Sequence, residues 1–215
     1  MRPKIGFQKL YFLFFRFGFI TTTKFTAHFY ILYFLIYKKF SGQFEFSLEK
    51  AGKSPEKYLN ISQWVFENLI RAFDLNLHRQ QGLKILDLGC GPGYFVYIAN
   101  YFKHDAEGLD IGSNDLYNHM IASLSLTRYE QAIMPFKPLS LPSRKKYDLI
   151  SAFMICFDGH GTDEIWGTDK WNFFIQDIEN NHLQEEGKIF LGLNPDHNLE
   201  NRASINFLLK KYLYY

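Results

Sequence analysis

Cysteine is nearly absent: Cys90 and Cys156 are the only two in 215 residues. Both stand in apolar contexts, which excludes a disulfide scaffold and implies a reducing compartment. Long apolar runs are missing too. In residues 1–47 the longest uncharged stretch, Phe25 to Tyr37, has thirteen residues, against the ~20 that a bilayer span needs. No small-residue cleavage site follows a clean apolar segment, so a secretory leader is not expected. Asp158, His160, Asp163 and Glu164 cluster loosely, but without ligand spacing or a Cys/His pair, so no metal is expected. The net charge of +2 gives no ground for nucleic-acid binding.

That small net charge hides an asymmetry. Residues 1–40 carry seven basic residues and no acid, a charge of +7, which leaves −5 for the remaining 175. Fourteen of those forty residues are Phe or Tyr. The chain therefore divides into a basic, aromatic-rich extension (1–47) and a domain (48–215). Basic and aromatic residues together suit an interfacial membrane segment. The competing readings are helices packed on the domain, or an extension without a task. The expected location is cytoplasmic, peripheral at a membrane surface where the extension acts as an anchor.

The domain is organised around Lys84-Ile85-Leu86-Asp87-Leu88-Gly89-Cys90-Gly91-Pro92-Gly93-Tyr94-Phe95. An apolar run broken by one carboxylate reads as a buried strand. A glycine-dense turn follows, then a helix from Tyr94 to Phe102. Strand, glycine turn and helix N-terminus form a nucleotide-binding element, in which glycines allow φ > 0 and close backbone approach. Asp87 reads as an acceptor without a local basic partner. A dinucleotide fingerprint is G-x-G-x-x-G. Here the glycines run Gly89-x-Gly91-x-Gly93 with bulky Tyr94 and Phe95 after them, which argues against a nicotinamide-dependent oxidoreductase.

Leu86 to Gly93 resembles instead motif I of the class I S-adenosylmethionine (SAM)-dependent methyltransferases, L-D-L-G-C-G-x-G. The resemblance extends over roughly residues 80–195. It implies an α/β fold with a doubly wound, mostly parallel sheet in the order 3-2-1-4-5, counted from the motif I strand. It also implies SAM as cofactor, held by Asp87, Gly89, Cys90, Gly91 and Gly93. Asp110, 21 residues after Gly89, ends the next strand (Ala106 to Ile111) and matches the family's ribose-binding acid, with Ile111 beside it. Many members carry an adenine-binding Asp after the third strand. This chain offers Lys137 and Ser140 there, which leaves adenine recognition to backbone groups.

The rest follows in order. Ser54-Pro55 reads as a helix opening, with Tyr58, Ile61, Val65, Leu69 and Ala72 at helical spacing. Tyr58 and Trp64 on it are candidate lid residues. Ser113 or Asn114 caps the helix after Asp110. Ala132 to Phe136 is expected as the third strand, and Arg144-Lys145-Lys146 as a solvated turn. Tyr147 to Ile155 is a buried strand. A helix begins at Thr168, Glu186-Gly187 ends it, and Lys188 to Leu193 is the last strand. Only 22 residues follow, so the sheet is expected to be abbreviated or the chain cut short.

In the loop after Ile155, His160 is the candidate catalytic base and Asp158 its alternative. The Asn/Asp-Pro-Pro-aromatic motif of many nucleobase and protein-glutamine methyltransferases is absent. The reading is methyl transfer to a small-molecule, sugar or lipid-linked acceptor. Its alternative is a non-catalytic methyltransferase-like binding subunit.

Overall fold

The computed structural model describes residues 10–11, 33–38, 56–141, 145–155 and 166–192. Among the described residues there are six strands: β1 (Leu10–Tyr11), β2 (Lys84–Leu88), β3 (Asp105–Asp110), β4 (Arg128–Glu130), β5 (Tyr147–Phe153) and β6 (Leu183–Gly192). Every pairing is parallel, in the order β1-β6-β5-β2-β3-β4. From the motif I strand this is the expected 3-2-1-4-5 order, with β1 added at the β6 edge. The chain winds outward from β2 to β4, returns to β5 on the other side of β2, and so places a topological switch between β2 and β5. In open parallel sheets the crevice at such a point, past the strands' C-terminal ends, takes the ligand.

Parallel strands need both faces covered, and alternation along β2 shows how. Ile85 belongs to one apolar cluster with the helices α2 (Ile61–Asp74) and α3 (Tyr94–Tyr101). Leu86 and Leu88 point the other way, toward Trp171, Phe174 and Ile175 of the helix Thr168–Asp177. Asp87 shares the face of Ile85 because side chains alternate along a strand. α3 is buried nearly all round, as expected of an apolar helix sandwiched between a sheet and another helix.

The described part of the N-terminal region touches this domain. A short helix, α1 (residues 33–38), places Ile36, fully buried, in the α2–α3 cluster. Tyr33 bonds Ser62 through its hydroxyl at 2.5 Å and meets Phe66 edge-on. No helix among the described residues is long and apolar enough to cross a membrane.

Four expectations need correction. α2 starts at Ile61, with Asn60 as its cap accepting from Gln63 N–H at 3.3 Å; a 3-10 turn (Glu56–Leu59) precedes it, and Ser54-Pro55 lie outside the described residues. The third strand is Arg128–Glu130, because Arg128, Tyr129 and Glu130 fall in register with Gly108, Leu109 and Asp110. Ala132 to Phe136 forms no strand: Phe136 has φ 57° and the Lys137 N–H turns back to the Met134 carbonyl. Lys145 is no solvated turn residue, since it bridges Asp105 and Glu107 at 2.8 and 3.1 Å. β6 begins five residues earlier than expected and carries Glu186-Gly187 inside it, at an irregularity where Tyr147 pairs Leu183 and Leu149 pairs Lys188. Gly187 fits there because a Cβ would meet Leu183 and stand 2.9 Å from the Tyr147 carbonyl oxygen.

Candidate cofactor site

The turn after β2 takes its shape from three glycines. Gly89, Gly91 and Gly93 have φ of 64, 53 and 84°, a region where a Cβ is strained. Two are also hemmed in. A Cβ on Gly89 would lie 2.8 Å from Ile155 Cδ1, and one on Gly93 would lie 2.6 Å from Leu126 Cδ1. Gly91 differs, with nothing nearer than Tyr117 Cε2 at 3.9 Å. Its bare face opens onto a cavity.

That cavity has a volume of about 420 Å³, within the range of small-molecule sites. Asp87, Gly89, Cys90, Gly91, Asp110 and Ile111 line it. Gly93 is not among the lining residues; it is the cap of α3 and packs toward Leu126 and Ile121. Cys90 contributes its loop position, while its thiol is turned onto Gly108 and buried, which pushes its pKa well up.

The two acids differ in environment. Asp87 is buried and accepts from Ser151 Oγ at 2.8 Å. Burial raises its pKa to about 7, against the lowering effects of the Ser151 hydrogen bond and the Arg71 charge. Asp110 is also raised by burial, but Gly91 N–H donates to its Oδ2 at 2.6 Å and Ile111 N–H to its Oδ1 at 2.7 Å. A carboxylate has about four acceptor positions, so Asp110 can brace the glycine turn and still accept from a diol.

Sequence reasoning named Trp64 of α2 but missed Asn68 and Arg71. Trp64, Asn68 and Arg71 follow one another at i+4 and i+3, so one helix stripe faces the cavity. Asn68 is buried, donates to the Trp64 carbonyl at 2.8 Å and accepts from Arg71 Nη1 at 2.9 Å. The guanidinium also sits over the Phe153 ring, 4.7 Å from its centroid. Burial lowers the Arg71 pKa, opposed first by the charge of Asp87. Asp87 therefore does have a basic partner, delivered by the fold rather than by neighbours in sequence. The signal was a buried-face Asn and Arg interrupting an apolar helix stripe.

Around the mouth, Tyr58 packs on Trp64 at 4.7 Å and on Tyr117 at 5.4 Å between ring centroids. All three line the cavity, so the two lid candidates are at the site. Tyr94 donates to the Tyr58 carbonyl at 2.6 Å and holds that turn down. On the far side the wall is Gln131, Ala132 and Ile133, the segment following β4. Lys137 and Ser140 are exposed and do not line it. His160, Asp158 and Cys156 lie outside the described residues.

Strand order, glycine turn at the switch point and an acid ending the neighbouring strand define a doubly wound, Rossmann-like α/β fold. No protein-family model matches the chain, and no curated protein does. Among solved structures it is similar to the ribosomal protein L11 methylase of Lactobacillus delbrueckii subsp. bulgaricus (16% identity, TM-score 0.44, 70% of this chain and 67% of that one). It is also similar to a TehB-like SAM-dependent methyltransferase of Corynebacterium glutamicum (19% identity, TM-score 0.47, 73% and 83%). A third is the glycopeptide N-methyltransferase MtfA complexed with SAM (14% identity, TM-score 0.39, 56% and 51%).

Proposed function

We propose that this chain binds SAM and transfers its methyl group to a small-molecule, sugar or lipid-linked acceptor. One observation carries the reading: a single cavity is lined by Arg71, by Asp87 on β2, by the bare Gly91 backbone and by Asp110 at the end of the neighbouring strand. A buried carboxylate and a guanidinium side by side suit the ammonium and carboxylate of an amino acid. Asp110 suits a ribose diol, and the 131–133 wall lies beyond it, where a base would rest against backbone groups. Amino acid, ribose and base in that order describe SAM.

When bound, the cofactor supplies a methyl group on a positively charged sulfur. The protein's share is alignment and exclusion of water. Tyr58, Trp64, Phe95 and Phe153 provide apolar walls for this. Where the acceptor needs deprotonation, His160 is the proposed base, with Asp158 as alternative.

Calorimetry with S-adenosylhomocysteine (SAH), with NAD as control, tests the cofactor. Binding of SAH alone is expected; binding of NAD alone would overturn the reading. Transfer of an isotope-labelled methyl group from SAM into a cell extract then separates an enzyme from a binding subunit.

A further inference from the structure

The helix before β6 ends in a π-turn, Ile178–His182, closed by the Leu183 N–H bonding the Ile178 carbonyl. This irregularity has a geometric effect. In an α-helix, positions five apart are turned about 140° from each other. Winding by i→i+5 brings them onto one face of the turn, and Asp177 and His182 reach the same target. Both are buried, and their side chains approach to 3.8 Å (Oδ2 to Nε2).

Their target is one residue, Leu139, in the segment that continues from the cavity's far wall. Leu139 N–H donates to Asp177 Oδ2 at 2.8 Å, and the Leu139 carbonyl accepts from His182 Nε2 at 3.1 Å. Because a carbonyl only accepts, Nε2 carries a proton, and Nδ1 is buried without a hydrogen-bond partner. Asn181 steadies the carboxylate by donating to Asp177 Oδ1 at 2.8 Å. On both sides of Leu139, the Gln131 amide ties the segment to itself, donating to the Pro138 carbonyl at 3.2 Å and accepting from Ser140 N–H at 2.9 Å. Gln131 N–H in turn bonds the Asp110 carbonyl at 3.0 Å. A chain of bonds thus runs from the π-turn through Leu139 and Gln131 to the strand end that carries the proposed ribose acid.

We propose that Asp177 and His182 are positioning residues for the nucleobase end of the cofactor. Clamping Leu139, they set where Gln131, Ala132 and Ile133 stand. This rests on the SAM reading, and it explains a costly arrangement. Burying an acid and an imidazole with one unpartnered ring nitrogen to hold one surface segment is disfavoured unless the position of that segment matters.

The test measures SAH and 5′-methylthioadenosine, which lacks the amino-acid end, against Asp177→Ala, His182→Leu and the conservative Asp177→Asn and His182→Gln. The two disruptive changes are expected to weaken both ligands alike, by roughly tenfold, with one site per molecule retained. Asp177→Asn and His182→Gln each keep a bonding atom for Leu139 and should restore most of the affinity. As a contrast, Asp87→Asn should weaken SAH and spare methylthioadenosine. Unchanged affinities with only a lower melting temperature in all four variants would overturn the proposal, leaving a structural role. If the disruptive variants do not fold, Asn181→Ala, which loosens Asp177 from an exposed position, decides it: weaker binding of both ligands supports the proposal and parent-like affinity overturns it. A parent that binds neither ligand refutes the SAM reading and this inference with it.

Discussion

Asp87 on β2 and Ser151 on β5 face each other in register, and the serine hydroxyl donates to the carboxylate across 2.8 Å. One hydrogen bond and a nearby guanidinium do not offset burial, so Asp87 titrates at about 7 rather than 3.8. The folded apoprotein therefore holds a proton there that the unfolded chain has lost. Asp87 contributes stability below pH ~4 that disappears as pH rises through about 7. Replacing it with Asn should flatten stability between those limits and stabilise the apoprotein at pH 8, by on the order of 1–3 kcal/mol. Denaturant melts of parent and variant at pH 5 and 8 check this; a variant less stable than the parent at pH 8 would contradict it.

Ligand binding should carry the same proton in reverse. The ammonium of SAH favours ionised Asp87, so binding below about pH 7 releases a proton and affinity climbs with pH before levelling. The climb is at most ~tenfold per pH unit. Calorimetry at pH 6 in two buffers of different ionisation heat measures the release directly, and identical heats would exclude Asp87 as the ammonium partner.

Asp110 has two tasks, bracing Gly91 and Ile111 and meeting the ribose. Asp110→Ala removes both, and SAH affinity is expected to fall at least tenfold, equivalent to ~1.5–3 kcal/mol for a charged hydrogen-bond group. An unaltered dissociation constant would remove Asp110 from the site.

Two glycines with positive φ make a controlled comparison. Gly82 (φ 75°) has nothing within 4 Å of a built Cβ, whereas Gly93 (φ 84°) would meet Leu126 and Ile121 at 2.6 and 2.7 Å. Gly82→Ala should cost ~1–2 kcal/mol, from backbone strain alone. Gly93→Ala adds overpacking, a further ~1–3 kcal/mol. Equal losses in urea melts would show that the α3 cap is not tightly packed.

The N-terminal region offers a separation of stability from binding. Ile36 is fully buried against the α2–α3 cluster, while none of the described residues lining the cavity precedes Tyr58. Ile36→Ala is expected to lower stability by ~2–5 kcal/mol and leave SAH affinity within twofold on folded protein. A variant as stable as the parent would show that α1 is not part of the core.

The strand–turn–helix at residues 84–101 and both acids at strand ends were legible in the sequence because their causes are local. A short apolar run makes a buried strand, and glycines permit positive φ in any context. Strand order followed from the resemblance, and the right-handed parallel crossover leaves few alternatives. What tertiary structure alone decided are the meetings between distant segments. Arg71 reaches Asp87 only because α2 packs on the face of β2 that carries Ile85 and Asp87. Ser151 reaches it only through the β2–β5 register. Arg128–Glu130 became the strand, and the more apolar Ala132–Phe136 did not, because pairing with Gly108–Asp110 selects a register that composition does not reveal. The five-residue spacing of Asp177 and His182 reads as two unrelated directions on an α-helix, and only the π-turn, a feature of the folded packing, points them at the same residue.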